Sequence, residues 1–444
     1  MATPVRARPA GVGRNAESPL PPVPGASQEE IRRQNLGAVL RYVHLHGPTS
    51  RAELTSRLGL NRSTIGALAA DLVTSGLVTE EAPTTARRAG RPSLVVSPRS
   101  DRVYTQALSI DADRLRAARV GLGGQILDLR EIPRPSGMSA IDAVGPLADL
   151  VRDMERSVAG DALLVGGAAA VTDTTRDPDG RIRIASIDET LGAALEAEFS
   201  AGPGFVAGDL ADIAGLAEHV RGVAAGIDDV IYLHGDLGIS AGIIVGGRLV
   251  IGHRGHSGKV GHMVVNPNGL PCGCGSRGCW ETEISEAALL RHAGRDPSDR
   301  AAVAEVLRAA ADGDPTARAA VEQVADWLGF GVANLVNVVN PDAVVFGGSL
   351  RDIFTAGADV VRDRLDTMPL PASREHLRLR AAALGRDAVL IGAAELAFDK
   401  LLADPLNVGV AGQVRTDEPD VVRSSAPPSQ GTGTGTGRNC FSEA

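Results

Sequence analysis

The chain is short of aromatic residues, of lysine and of cysteine, and each shortage excludes something. Aromatics make up only 3% of the 444 residues, so any core is aliphatic, and the 43% apolar fraction supplies it. The length exceeds what one compact core usually holds and suggests two or three domains. No apolar run reaches the roughly 18 residues of a membrane span. The opening "MATPVRARPAGVGRNAESPLPPVPGASQ" lacks the apolar stretch of a secretory leader. A cytoplasmic protein with no membrane partner is therefore expected. Of the four cysteines, Cys440 stands alone in a Gly/Thr-repetitive tail, which makes a disulfide framework improbable. Lysine occurs only at 259 and 400, so positive charge is almost entirely arginine.

The net charge of −9 argues against a nucleic-acid partner only if it is spread evenly, and it is not. Residues 28–99 carry ten arginines against six acids, a local +4 that leaves −13 for the rest. The same segment has helical periodicity. Ile31, Leu36, Val39, Leu40 and Val43 recur at helical spacing until "HGP" stops the run. "TSRAELTSRLGL" follows, with Thr49 or Ser50 as the cap and Glu53 at the reciprocal position. Gly59 makes a turn. "NRSTIGALAADLVTSGLV" then begins a third helix, capped by Asn61 or Ser63, with Ile65, Leu68, Leu72 and Val73 as its apolar face. "GLVTEEAPTTARRAGRPSLVVSP" reads as two short strands around a basic loop.

Helix, turn, helix and basic hairpin is the layout of a winged helix-turn-helix. Arg51, Asn61, Arg62, Ser63 and Thr64 are the expected DNA-facing residues of its helices, the last four where a recognition helix offers side chains to base edges and amides to phosphate. In the wing, Arg87 and Arg88 suit phosphates, and Arg91, between Gly90 and Pro92, suits a narrow minor groove. The implied partner is double-stranded operator DNA. The expected assembly is a homodimer, or a dimer of dimers, on a pseudo-palindromic site.

Beyond residue 100 the pattern changes. "VYTQALSI", "RAARVGL", "QILDLREI", "ALLVGGAAAV", "DVIYLHG", "SAGIIVGGRLV" and "DAVVFGG" read as strands. "AIDAVGPLADLVRDMERSV", "IAGLAEHVRGVAAG" and "ARAAVEQVADWLGFGVANLVNVVN" read as helices. Such alternation means an α/β domain, here 100–402, long enough for two lobes. Residues 1–27 and 403–444 are expected to be disordered low-complexity tails.

One short segment carries the metal chemistry. "SGKVGHMVVNPNGLPCGCGSRGCWE" places Cys272, Cys274 and Cys279 downstream of His262. Three thiolates and an imidazole suit tetrahedral Zn²⁺, and four protein ligands leave no open position for activated water. There is no Cys-x-x-Cys, so a redox centre is disfavoured. The zinc is expected to be structural.

Gly261-His262 followed by Cys-x-Cys-x4-Cys, together with "HGDLGISAGIIVGG" before it and "NLVNVVNPDAVVFGG" after it, resembles the ROK family of sugar kinases and bacterial transcription factors. The resemblance extends over roughly residues 30–400 and includes a Gly-Arg-Pro wing at 90–92. It implies an actin/hexokinase-like (ribonuclease H-like) two-lobed fold and a sugar or sugar-phosphate effector. It also implies a pocket in which the zinc-binding histidine and two glutamates hold sugar hydroxyls. Of those glutamates the second is Glu281, but the first position holds Lys259, which reverses the charge and removes an acceptor. Lys259 is then expected either to turn to solvent or to attract an anionic ligand.

The kinases of the family carry their base in Asn-Asp-x-Asn. Matching "LAEH" puts Asp209 on the first Asn, Leu210 on the catalytic Asp and Asp212 on the second Asn; a one-residue slip would instead make Asp209 the base. The phosphate turn Asp-x-Gly-Gly-Thr corresponds to Asp111-Ala112-Asp113, without glycines, and "GGAAAVTDTTRD" lacks the usual Gly-Pro. The expectation is a repressor that is not an enzyme, with a hexose kinase or a non-sensing architectural oligomer as the alternatives.

Overall fold

The computed structural model describes residues 27–83, 93–172, 174–176, 182–184, 189–199 and 204–407. The first helix, α1 (Gln28–His46), begins where the Ser27 hydroxyl accepts from the Glu30 amide. It is followed by β1 (Thr49–Ser50), α2 (Arg51–Leu58) and α3 (Arg62–Thr74). Of the paired cap candidates, Ser50 caps α2 by accepting from Glu53 N–H, and Asn61 caps α3 by accepting from Thr64 N–H. Gly59 turns the chain between them at φ 66°. β2 (Val78–Glu81) and β3 (Val95–Pro98) complete a three-stranded sheet in the order β1-β3-β2. This is a winged helix. The tip of its wing, with Arg87, Arg88 and Arg91, lies outside the described residues, as do 1–26 and 408–444.

Two residues assigned to its apolar faces point outward instead. Ile31 and Val73 are 37% and 39% exposed. The buried stripe of α1 starts only at Leu36, and Val73 follows Leu72, so one helix face cannot take both.

Two five-stranded sheets follow, built to one plan. The first contains β4 (Val103–Ile110), β5 (Arg114–Gly121), β6 (Ile126–Pro133), β7 (Leu163–Val171) and β10 (Phe205–Asp209). Its order is β6-β5-β4-β7-β10, antiparallel on one side of β4 and parallel on the other. Helices α4 (Val144–Glu155), α5 (Glu189–Phe199) and α6 (Leu210–Arg221) belong to this half, with a small ribbon of β8 (Thr174–Arg176) and β9 (Ile182–Ile184). The second sheet contains β11 (Val230–Gly235), β12 (Ile239–Val245), β13 (Arg248–Leu249), β14 (Ala343–Gly348) and β15 (Arg378–Ala381) in the order β13-β12-β11-β14-β15. Strands β12 and β13 are the single strand expected from "SAGIIVGGRLV". It breaks because Gly246 and Gly247 turn at φ 59° and 72°. The second half adds α7 (Glu281–Ile284), α8 (Glu286–His292), α9 (Val303–Ala311), α10 (Pro315–Val339), α11 (Ser349–Thr367), α12 (Pro371–Arg374) and α13 (Ala388–Ala403).

The last helix returns to the first half. α13 packs on β4 and β7, α6 packs on β11 and β12, and the two helices lie against each other. Gly392 permits this: a Cβ there would collide with the Ile213 carbonyl oxygen. The far end of α13 meets α1, where a Cβ on Gly37 would lie 2.6 Å from Leu402 O. One apolar cluster therefore runs from Leu36, Leu40 and Leu72 of the winged helix through Phe398 and Leu401 to Ile213 and Ala217. A second fills the other half around Trp280, Leu328 and Phe346.

Gly392→Ala is expected to lower the thermal midpoint and to cost ~1–3 kcal/mol, because backbone must move to admit the methyl group. That loss exceeds the ~1 kcal/mol that alanine gains over glycine by helix propensity. Thermal and urea unfolding of the variant would check it.

Candidate functional site

Two regions collect the residues singled out by the sequence. In the winged helix, Asn61, Arg62 and Ser63 are exposed at the start of α3 and Thr64 is half-buried. Ser63 donates its hydroxyl to Asn61 Oδ1 at 2.6 Å, so the cap and the first turn form one rigid group. Farther along, the exposed positions of α3 include Ala67 and Ala70, which have no polar reach, so hydrogen-bonding capacity is concentrated in the first turn. Arg51 is placed differently from expectation. Its guanidinium is held by Glu80 of β2 through Nε and through Nη2 at 2.5 Å, and Gly66 of α3 lies against it. This pair ties α2, α3 and β2 together in place of a guanidinium free for phosphate.

The second region lies between the two halves. β10 ends at Asp209, which caps α6: Oδ1 accepts from Ala211 N–H at 2.9 Å. Opposite it, Lys259 donates Nζ to Asp209 Oδ2 at 2.6 Å. The Lys259 side chain is 25% exposed, so it does not turn to solvent, and its charge meets the chain's own carboxylate. Leu210 is buried beside the pair. His262 and Glu281 complete this wall, together with Thr172, His234, Asp236 and Ser240, which sequence reasoning missed. "HGD" at the end of the β11 strand was the available signal for His234 and Asp236. With the Asp209–Lys259 pair closed, the cavity among these residues is about 20 Å³, room for a water molecule. It adjoins a larger one of about 190 Å³ that shares Asp236 and Glu281 and is lined by Arg291 and Arg300.

The metal-binding candidates come together. One donor atom from each of His262, Cys272, Cys274 and Cys279 lies within 4.8 Å of all the others. A tetrahedral ion with bonds of about 2.3 Å to sulfur needs sulfurs about 3.8 Å apart. Cys274 and Cys279 Sγ are 3.6 Å apart, and Cys272 Sγ is 3.7 Å from His262 Nδ1, so the donor set fits a metal ion. Backbone contacts close the loop: Cys272 N–H donates to Ser276 O, and Trp280 N–H to Met263 O.

The profile of the family described as ROK matches residues 105–400. This chain belongs to the ROK family. A MarR-family profile matches residues 37–89, the winged helix. The xylose repressor of Bacillus subtilis is 25% identical over 384 residues, covering 85% of this chain and 98% of that protein. The DNA-binding transcriptional dual regulator NagC of Escherichia coli is 26% identical over 367 residues, covering 78% and 88%. A glucokinase of Streptomyces coelicolor is 31% identical over 315 residues, 66% of this chain and 97% of the kinase. Among solved structures, a ROK family transcriptional regulator homologous to E. coli MLC aligns with TM-score 0.67 at 24% identity, covering 86% of this chain and all of that one. The ROK glucokinase from Streptomyces griseus with glucose and AMPPNP aligns with TM-score 0.53 at 28% identity over 66% of this chain.

Among the described residues of the ROK domain, two carboxyls are pushed upward. Burial, with a contribution from the Asp209 charge, pushes Asp212 up to about 7, against a smaller opposing effect of Lys259. Its Oδ1 is buried without a hydrogen-bond partner. At the β4–β5 turn, burial raises Asp111 to about 6, and Ser109 donates its hydroxyl to it. Neighbouring Asp113 pairs with Arg114 at 3.6 Å.

A carboxyl whose folded pKa is raised binds its proton more tightly in the folded chain. Asp212 therefore withdraws stability as pH rises from about 4 to about 7, and the loss is complete above 7. Asp212→Asn is expected to be more stable than the natural chain at pH 8 by ~1–3 kcal/mol, with the gain shrinking steadily below pH 7. Urea unfolding at pH 5, 6.5 and 8 would check both sign and window.

Proposed function

We propose that this protein is a DNA-binding transcriptional repressor that acts in the cytoplasm as a homodimer or dimer of dimers. In this reading residues 28–99 bind a pseudo-palindromic operator and 100–402 form a zinc-stabilised, kinase-derived domain that assembles the protein and senses a sugar or sugar phosphate. The repressor relatives are covered over 98% and 88% of their length, by more of this chain than the ROK domain alone supplies. The observation that carries the reading is the joining of a winged helix to a pocket whose Asp209 carboxylate is already taken by Lys259.

Phosphoryl transfer needs a base within reach of the attacking hydroxyl and a cradle for the phosphates. Asp209 shares the pocket wall with the carboxylates of Asp236 and Glu281, and both its oxygens are occupied, one by the α6 amide and one by Lys259. Leu210 accepts no proton. The turn Asp111-Ala112-Asp113 offers two carboxylates where phosphate would sit. These features support a domain that does not phosphorylate. A hexose phosphorylated from ATP by the purified chain at an enzyme-like rate would overturn this and restore the kinase reading suggested by the glucokinase relative.

The cage of His262, Cys272, Cys274 and Cys279 is assigned to Zn²⁺, since soft thiolates with one imidazole favour it and the closed sphere gives it a structural task. Elemental analysis should find about one zinc per chain, and Cys279→Ser should lose it together with a cooperative unfolding transition.

For the DNA-binding half, selection of bound duplexes from a random pool by the full chain should enrich an inverted repeat. On that duplex Arg62→Ala is expected to cost ~1–3 kcal/mol and to relax preference at one base position. Arg87→Ala should weaken all duplexes alike and reduce the salt dependence. Enrichment of no sequence, or identical effects of the two variants, would refute this assignment of roles.

A further inference from the structure

His44, near the end of α1, is fully buried against α6 and α13. Its Nδ1 accepts from Gly123 N–H at 2.9 Å, so the neutral ring carries its proton on Nε2, which lies 3.1 Å from each oxygen of Glu395. Arg221, the last residue of α6, donates Nε to Glu395 at 2.5 Å and Nη2 to the His44 carbonyl at 3.1 Å. That Nη2 also lies 2.7 Å from His44 Nε2, and Glu395 holds the two side chains together by accepting from Arg221 Nε and His44 Nε2. Burial lowers the His44 pKa and keeps the ring neutral. For Glu395, burial pushes upward, but the His44 hydrogen bond and the Arg221 charge outweigh it and hold the carboxyl below its usual range.

The other end of the same helix is in the pocket, where Asp209 caps α6 and pairs with Lys259. Twelve residues, about 18 Å at 1.5 Å per residue, separate the two ion pairs. Between them α6 is clamped along its length. Its Ala211 carbonyl lies where a Cβ on Gly242 would be 2.6 Å away, its Ile213 carbonyl faces Gly392, and its Gly215 abuts Tyr232. Near its end, Glu218 is fully buried and accepts from Val223 N–H and Leu384 N–H at 2.9 and 2.8 Å. A helix held this way moves as a body.

We infer that Arg221 is the positioning residue through which the pocket controls the winged helix. Asp209 has two discrete arrangements, bound to Lys259 or released when a ligand takes either partner: an anionic group takes the ammonium, a hydroxyl takes the carboxylate. The exchange shifts α6, and Arg221 passes the shift to Glu395 and to His44 on the helix that carries the reading head. A ligand acts only by its unequal affinity for the two arrangements. The inference rests on the DNA-binding reading for its first test and is independent of it for its second.

The first test is fluorescence anisotropy with the enriched duplex and the full chain as wild type, Lys259→Met, Arg221→Gln and the double variant. Lys259→Met breaks the pocket pair while keeping its bulk. It is expected to change operator affinity at least about fivefold alone and less than about twofold with Arg221→Gln present, the non-additivity of coupled sites. Equal effects in both backgrounds, or none in either, overturn the inference. The second test needs no DNA: hydrogen exchange of α1 amides from Leu36 to Val43. Lys259→Met should speed exchange there only when Arg221 is intact, and unchanged rates overturn the inference. If Arg221→Gln fails to fold, Glu395→Gln replaces it, since it keeps shape and one acceptor. If no duplex is enriched, the DNA-binding reading falls, and the exchange experiment still decides the coupling.

Discussion

The architecture depends on the contact of α6 with α13, made backbone to backbone at Gly392. Each helix covers one of the two sheets, so their contact is what joins the halves. The same α13 extends to Gly37 and brings α1 into the shared apolar cluster. A winged helix on a flexible tether would be free to search for DNA independently. Here it is packed onto the ROK domain through a continuous core.

The two sheets repeat one plan, three antiparallel strands extended by two parallel ones, and the pocket sits between the copies. That arrangement suits an enzyme that closes on a sugar and a nucleotide, and this chain keeps the frame while altering the wall. Lys259 and Asp209 supply each other with the hydrogen-bonding partner that a ligand hydroxyl would otherwise supply. In the structure the pair is closed, and the other Asp209 oxygen is held by the α6 amide.

Much of this was legible in the residues because it is written locally. Helix caps, Gly59, the strand runs and the spacing of Cys272, Cys274 and Cys279 all act over a few positions, where side-chain chemistry dictates backbone. What was not legible depends on distant partners. Arg51 looked free for phosphate because Glu80 stands 29 residues away, and the joint of His44 with Glu395 spans 351 residues. Nothing in an isolated histidine, glutamate or arginine announces such a meeting. Lys259 was ambiguous for the same reason: its direction is settled by Asp209, 50 positions earlier in the chain. The Gly246-Gly247 break was visible as letters, but "SAGIIVGGRLV" continues with apolar residues after it and reads as one strand.

The scarcity of lysine has a practical side. Apart from its α-amino group the protein presents amine-directed reagents with two targets, Lys400 exposed at the end of α13 and Lys259 half-buried in the pocket. Acylation of Lys400 serves as an internal standard of reagent activity. The modification ratio of the two is then a chemical gauge of whether the Asp209 pair is closed, readable by mass spectrometry on the unaltered protein.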